Sequence, residues 1–337
     1  MCDRRFTSFI LRTAACALPA LLLLTWVPFA AAQKDSAAGF PSKAIRLVVP
    51  FLPGDAPDIV ARVVGTKMAE SWGAPIVLDN KPGATGNIGM NLVAKSAPDG
   101  YTLGVLIISH SVNSAVLGSK MPYSILRDLS PIAQLVSIAY VLSVNPKLPV
   151  KSVADLVAYA RANPGAVRYG SSGTGGVIHL AGELLALLTK VEMTHVPYKG
   201  NSQAMTDIVG GHIEWMVSSV LLAKAFSARG QVRPLAVTSL KRLPSVPDLP
   251  TMEEAGIPGY EVEGWYGIAG PAGIPRDIID KLNREMVAAV RVPATRDRLD
   301  AIGVLPVSGT PAQFGALLKS EDEKWRRVVN AAGLGRE

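Results

Sequence analysis

Three loops in this sequence carry hydrogen-bond donors, two of them together with glycine, in patterns suited to gripping a small anion. The first is Pro50-Phe51-Leu52-Pro53-Gly54-Asp55-Ala56-Pro57-Asp58. Gly54 permits close backbone approach, and a helix starting near Pro57 presents free N–H groups. Such a terminus carries partial positive charge and takes carboxylate or phosphate oxygens. Phe51, Pro53, Gly54 and Asp55 are therefore candidate ligand contacts, and Asp58 either joins them or supports its own helix. The second loop is Tyr169-Gly170-Ser171-Ser172-Gly173-Thr174-Gly175-Gly176, just before a helix carrying His179 and Glu183. Neutral donors such as Ser171, Ser172, the Gly173 amide and Thr174 hold an oxyanion without a counter-charge. The third loop, with Ser109, His110, Ser111 and Asn113, follows an apolar run and falls where open α/β sheets bind ligands, at a strand's carboxyl end. His110 either donates to an anion or is held by loop hydrogen bonds.

Further donors lie downstream in Val196-Pro197-Tyr198-Lys199-Gly200. Lys199 either attracts an anion or stands in solvent. Tyr198, Trp265 and Tyr266 either line an aromatic pocket or pack a hinge. Gly83-Ala84-Thr85-Gly86-Asn87-Ile88-Gly89 also opens a helix and is read as close packing or an outer cleft wall.

Other chemistries fit poorly. His110, His179, His195 and His212 lack zinc-type spacing, so no metal site and no cofactor are expected. Gly173-Thr174-Gly175 has Ile178 where a dinucleotide fingerprint needs its third glycine. The nucleophile elbow G-x-S-x-G also fails around Ser171. A serine hydrolase using Ser172 with His179 as base remains an alternative, because triads assemble in space. The expectation is that the chain is not an enzyme.

These loops need a scaffold. Ile45–Val49, Ile76–Leu78, Leu103–Ile108, Val141–Val144, Val167–Gly170, Ile213–Val217 and Leu235–Val237 are β-branched, unalternated runs, the pattern of strands covered on both faces. Between them, Ile59, Val60, Val63, Val64 and Met68 recur at helical spacing, as do Leu180, Leu184, Leu187 and Leu188. Ser152 to Asp155 resembles a capping box, and Thr310-Pro311 starts a late helix. Alternating strands and helices predict an α/β fold with parallel-rich sheets. No Gly/Ser linker separates two halves, so crossover strands are expected, at Val141–Val150 and Trp265–Pro275.

The N-terminus reads as an export signal. Arg4, Arg5 and Arg12 precede an apolar stretch and the small residues Ala30-Ala31-Ala32, so cleavage is expected near Ala32. Both cysteines, Cys2 and Cys16, lie in this leader. Its removal takes away three arginines and one aspartate, leaving a net charge of +5. That mild excess suits anionic ligands, and no Lys/Arg cluster points to nucleic acid. The remaining length is at the limit of one hydrophobic core, which favours two lobes.

Several segments together resemble the substrate-binding proteins of tripartite tricarboxylate transporters, the Bug receptors. They are Phe40 to Phe51, Asp79-Asn80-Lys81-Pro82-Gly83-Ala84, Ala97-Pro98-Asp99-Gly100-Tyr101-Thr102-Leu103, His179-Leu180-Ala181-Gly182-Glu183, His195-Val196-Pro197-Tyr198-Lys199-Gly200, Leu235 to Ser239 and Pro250 to Gly256. The resemblance implies a type II periplasmic-binding-protein fold: a signal peptide at 1–32, one lobe from 33–140 plus 266–337, and a second from 141–265. It implies a monomer that closes on a small organic acid or amino-acid-like solute and delivers it to membrane permease subunits. A receptor feeding a signalling partner would look the same. Two departures stand out. Asp55 replaces the second glycine of the family's first loop, and Ser218 stands where many relatives have aspartate. The first change favours a less acidic ligand unless Asp55 turns away, and the second leaves that wall neutral.

Overall fold

β-Branched runs become strands here because both their faces are covered. The computed structural model describes residues 37–335, so the expected leader and both cysteines lie outside the described residues. The strands are β1 (Ile45–Val49), β2 (Ile76–Asn80), β3 (Thr102–Ile107), β4 (Leu129–Val144), β5 (Arg168–Ser171), β6 (Thr194–Pro197), β7 (Trp215–Ser219), β8 (Arg233–Val237), β9 (Glu263–Pro271) and β10 (Leu305–Pro306). Between and after them lie helices α1 (Ala56–Trp72), α2 (Asn87–Ala94), α3 (Ile108–Leu117), α4 (Ile125–Asp128), α5 (Val153–Ala162), α6 (Val177–Thr189), α7 (Asn201–Gly210), α8 (Val220–Ser227), α9 (Arg276–Arg291), α10 (Pro293–Ala301) and α11 (Pro311–Ala331).

Two sheets share one long strand. The first runs β2-β1-β3-β9-β4, with β1, β2 and β3 parallel and β9 antiparallel to both neighbours. The second runs β4-β7-β5-β6, with β8 also on β4. Residues Leu129–Ala139 of β4 pair with β9, and Tyr140–Val144 pair with β7 and β8. The strand expected at Val141–Val144 therefore begins at Leu129. Pro131 hid that start, because proline within a run argues against a central strand. Register shifts between Pro131 and Ala133, and again between Gln134 and Val136, absorb it.

Local signals set the helix starts. Ser152 accepts from the Asp155 N–H at 3.1 Å, while Asp155 reaches back to the Lys151 N–H at 2.9 Å, one residue beyond the usual box. Thr310 and Gln313 exchange bonds reciprocally, at 3.2 and 2.8 Å, with Pro311 in the first turn of α11. The buried stripe of α11, including Phe314, Leu318, Trp325 and Val328, enters a core that also holds Tyr169 of β5 and Leu180 and Leu184 of α6.

Register brings the carboxyl ends of the parallel strands to one level. Ile107 of β3 lies opposite Tyr266 of β9, and Ser219 of β7 lies opposite Tyr140 of β4. Tyr140 and Tyr266 thus mark where the two sheets meet. Tyr140 leans over Gly264: a Cβ there would stand 2.5 Å from the Tyr140 hydroxyl and 3.0 Å from the Ile138 Cβ. Gly264→Ala is therefore expected to lower stability by about 1–3 kcal/mol through overpacking. Urea denaturation checks this, and an unchanged midpoint would contradict the tight seat.

Candidate ligand site at the strand ends

Each loop singled out in the sequence follows a parallel strand and opens a helix. β1 leads to α1, β3 to α3 and β5 to α6; β7 leads likewise to α8. Helix N-termini leave N–H groups without intrahelical partners. At α1 the Ala56 and Asp58 N–H groups make no hydrogen bond, and at the second loop neither do those of Thr174 and Gly176. Four helix starts from two sheets therefore open at the level where the sheets meet. This is the arrangement that holds oxyanions in α/β folds.

The first loop is clamped by Asp58. Its buried carboxylate accepts from the Gly54 N–H at 2.9 Å, from Arg62 Nε at 2.7 Å and Nη2 at 3.1 Å, and from Asn80 Nδ2 at 2.9 Å. Asn80 also donates to the Phe51 carbonyl at 3.0 Å. Burial opposes the charge, but hydrogen bonds from Arg62, Gly54 and Asn80 outweigh it and hold the carboxyl below its ordinary pKa. In this structure the Asp58 carboxylate holds the first loop together. Asp55 is exposed and does not cap α1; its carboxylate accepts only from the Leu52 N–H, at 3.2 Å. Pro53 and Gly54 are exposed, and Gly54 takes a positive φ of 88°.

The third loop lies against the first. Phe51 meets the His110 ring edge-on with centroids 6.0 Å apart. His110 is fully buried, and its Nδ1 accepts from the Ile107 N–H at 3.0 Å. Its Nε2 abuts Gly86, where a Cβ would come within 2.5 Å. The Gly-rich 83–89 segment thus packs closely at this point. Burial pushes His110 down to about 4 and keeps it neutral. Ser111 is buried with its hydroxyl unpartnered among the described residues, and Ser109 is partly exposed.

The second loop rests on a stack of rings. Ser171 is fully buried; its hydroxyl lies 2.7 Å from His195 Nε2 and also bonds the Gly173 carbonyl and N–H. His195 stacks on His179 at 3.7 Å between centroids. His179 Nδ1 accepts from the Gly175 N–H at 2.9 Å, and Nε2 lies 3.4 Å from Glu183. The Tyr169 hydroxyl donates to Glu183. Burial opposes charge on Glu183, but bonds from His179 and Tyr169 hold its pKa below the ordinary value. Burial first, then the neighbouring His179, push His195 down to about 4. A serine–histidine contact is what a nucleophile uses, yet this serine is sealed and the acid engages the other histidine. Ser172, the nucleophile of the hydrolase alternative, is exposed and bonds no histidine. The network fixes the backbone of a loop whose Ser172 and Thr174 hydroxyls stay free.

Other candidates are placed differently. The Tyr198 hydroxyl donates to Asp207 at 2.8 Å, and burial with that bond pushes its pKa up to about 12. Lys199 is exposed with no ion pair among the described residues. Ser218 is fully buried, its hydroxyl 3.5 Å from the Ser219 carbonyl, so it presents no exposed wall in this structure. Trp265 is core, edge-on to Phe314 at 5.6 Å. The motif search missed Tyr140, and it missed the pairing of Ser171 with His195. A surface hollow of about 410 Å³, lined by Lys224, Ser227 and Pro247 among others, shares no residue with these loops.

Comparison with known proteins gives a consistent answer. A family model described as the tripartite tricarboxylate transporter family receptor matches residues 60–334. The chain is 40% identical over 292 residues to a protein of the tcbD-tcbE intergenic region in Pseudomonas sp. strain P51, covering 86% of each chain. It is 36% identical to protein BugT of Bordetella pertussis, covering 88% of this chain and 92% of that one. Among solved structures, Rpa4515 of R. palustris with adipate overlaps with a TM-score of 0.70 at 35% identity, over 87% and 98% of the two chains. MatC of Rhodopseudomonas palustris with bound malate gives 0.67 at 32%, over 86% and 100%. A solute-binding protein from Polaromonas without ligand gives 0.80 at 27%, over 86% and 99%. With its two sheets, shared long strand and helix starts facing one level, the chain belongs to the tripartite tricarboxylate transporter receptor family.

Proposed function

We propose that this chain is a periplasmic receptor that captures a small carboxylate-bearing solute between two lobes and passes it to the membrane subunits of a tripartite permease. The lobes are 37–140 with 266–335, and 141–265. The observation carrying this reading is the meeting of four helix starts, two from each sheet, around the shared strand. The carboxylate rests on the free N–H groups and on the hydroxyls of Ser109, Ser172 and Thr174. Ser171, His179 and His195 keep the second loop in shape, and Asp58 does the same for the first. The adipate and malate named for two solved relatives support a carboxylate. The greater overlap with a ligand-free relative supports an open state that closes by hinge bending. The leader directs export and is removed near Ala32, and the mature receptor works as a monomer without enzymatic turnover.

A thermal-shift and calorimetric panel of the chain lacking residues 1–32 tests this. A true solute at ~100-fold excess over its Kd should stabilise the protein by ~2.7 kcal/mol. Silence toward every mono-, di- and tricarboxylate and every amino acid in the panel would refute the receptor reading.

A further inference from the structure

Charge around the strand ends is divided by sheet. The helix-opening loops 50–58, 107–111, 171–179 and 219–222 contain no lysine or arginine. On the first-sheet side, Arg62 is bound to Asp58, and Lys81 lies 3.1 Å from Asp79. The remaining charge in the first loop is Asp55, which is exposed, makes no ion pair and leaves its helix uncapped. On the second-sheet side, Lys199 and Lys241 follow β6 and β8, both exposed and without ion pairs among the described residues. Both ends offer helix N–H groups, but the side chains differ: a carboxylate and aromatic rings at the first-sheet end, hydroxyls and lysines at the other.

The rings lie on the negative side. Phe51 follows β1 at the level of Ile107, and Ile107 is paired with Tyr266. Phe51, Tyr140 and Tyr266 pack against the same core and are each only partly buried. Neither Tyr140 nor Tyr266 uses its hydroxyl in a hydrogen bond to a described residue. Asp55 lies four residues beyond Phe51 in the same loop, and burial first, then the negative charge of Asp55, push the Tyr266 hydroxyl up to about 12. A carboxylate beside aromatic faces suits a cation, through ion pairing and attraction to the ring quadrupole.

We propose that Asp55, with the rings of Tyr266 and Phe51, seats a positively charged nitrogen, so that the solute is a zwitterion whose carboxylate rests on the second-sheet helix starts. This rests on the receptor reading above and narrows it. A dicarboxylate would set its second charge against Asp55 with no basic side chain to offset it.

Matched ligand pairs test the idea by titration calorimetry. Adipate and 6-aminohexanoate share a chain length, as do glutarate and 5-aminopentanoate; α-amino acids complete the panel. The wild-type protein should prefer the amino member of a pair, or an α-amino acid over its dicarboxylate counterpart, by at least about tenfold. Asp55→Gly should abolish or reverse that preference, and Asp55→Asn should reduce it while keeping the Leu52 bond. Equal or tighter dicarboxylate binding by the wild type overturns the inference and leaves the receptor reading standing. So does a preference that survives in both variants. If nothing in the panel binds, both readings fall together.

Discussion

Asp58→Ala should lower the stability of this protein by about 3 kcal/mol and weaken solute binding at least tenfold. The carboxylate is 1% exposed and gathers the Gly54 amide, the Arg62 guanidinium and the Asn80 amide at one point. Its removal leaves those donors facing a void. Arg62 is half exposed and recovers part of its hydration, which keeps the cost at the low end for a broken buried pair. The Asn80 Nδ2 group would retain only the Phe51 carbonyl, and the first loop would lose its anchor at Gly54. Asp58→Asn keeps an acceptor and should cost roughly half as much. Denaturant titration measures the first effect and calorimetry with an identified solute the second. Wild-type stability and affinity in Asp58→Ala would show that the loop is held by other means. The sign with pH follows from the depressed carboxyl. Its contribution is present above the unfolded value of about 3.8 and is lost as pH falls through the lower folded value.

Mild acid should act sooner, through two histidines. His110 and His195 are both pushed from 6.5 down to about 4, chiefly by burial. Between those limits the unfolded chain binds protons that the folded chain refuses, so stability rises with pH and drains away as pH falls through that window. A shift of this size corresponds to roughly 3 kcal/mol for sealed His110 and less for half-buried His195, so a combined loss of about 4–5 kcal/mol is expected. The consequence is local as well as global. A proton on His195 would charge a ring stacked 3.7 Å from His179 and disturb its contact with Ser171. The Ser/Gly-rich loop should therefore loosen before the fold is lost. Chemical denaturation at several pH values across the window measures the slope, and His195→Asn should flatten part of it. A stability that stays level from pH 6.5 to about 4 would contradict the burial argument.

How far the sequence reaches can be judged residue by residue. Runs whose neighbours lie nearby in the chain were readable: β1, α1, α6 and the Thr310-Pro311 start of α11 follow from periodicity and cap chemistry. The glycine-bearing turns after β1 and β5 were also visible, because they break those patterns. The first eleven residues of β4 were not, since Pro131, Gln134 and Ser137 argue locally against a strand that its distant partners β9 and β10 stabilise. The clamp on the first loop joins residues 58 and 80 through two adjacent parallel strands. The contact of Ser171 with His195 likewise needs the pairing of β5 with β6. Composition cannot announce such meetings. For Asp58 the chain left two roles open, and its three hydrogen-bond partners meet it only in the fold.

Helix α11 packs against α3 and α6, whose starts carry two of the proposed ligand segments, yet it supplies no residue to them, and its buried side is shared by both sheets through Phe314, Leu318 and Trp325. Grip in such a receptor has two components: contacts made with the solute, and the work of bending the chain into its closed form. The face of α11 bears chiefly on the second. Changes accumulating along it would scale the affinity for every solute by one common factor. Changes in the loops would alter the ranking of solutes instead. Overall tightness and solute choice are therefore written into different stretches of this chain, and evolution can adjust one while leaving the other in place.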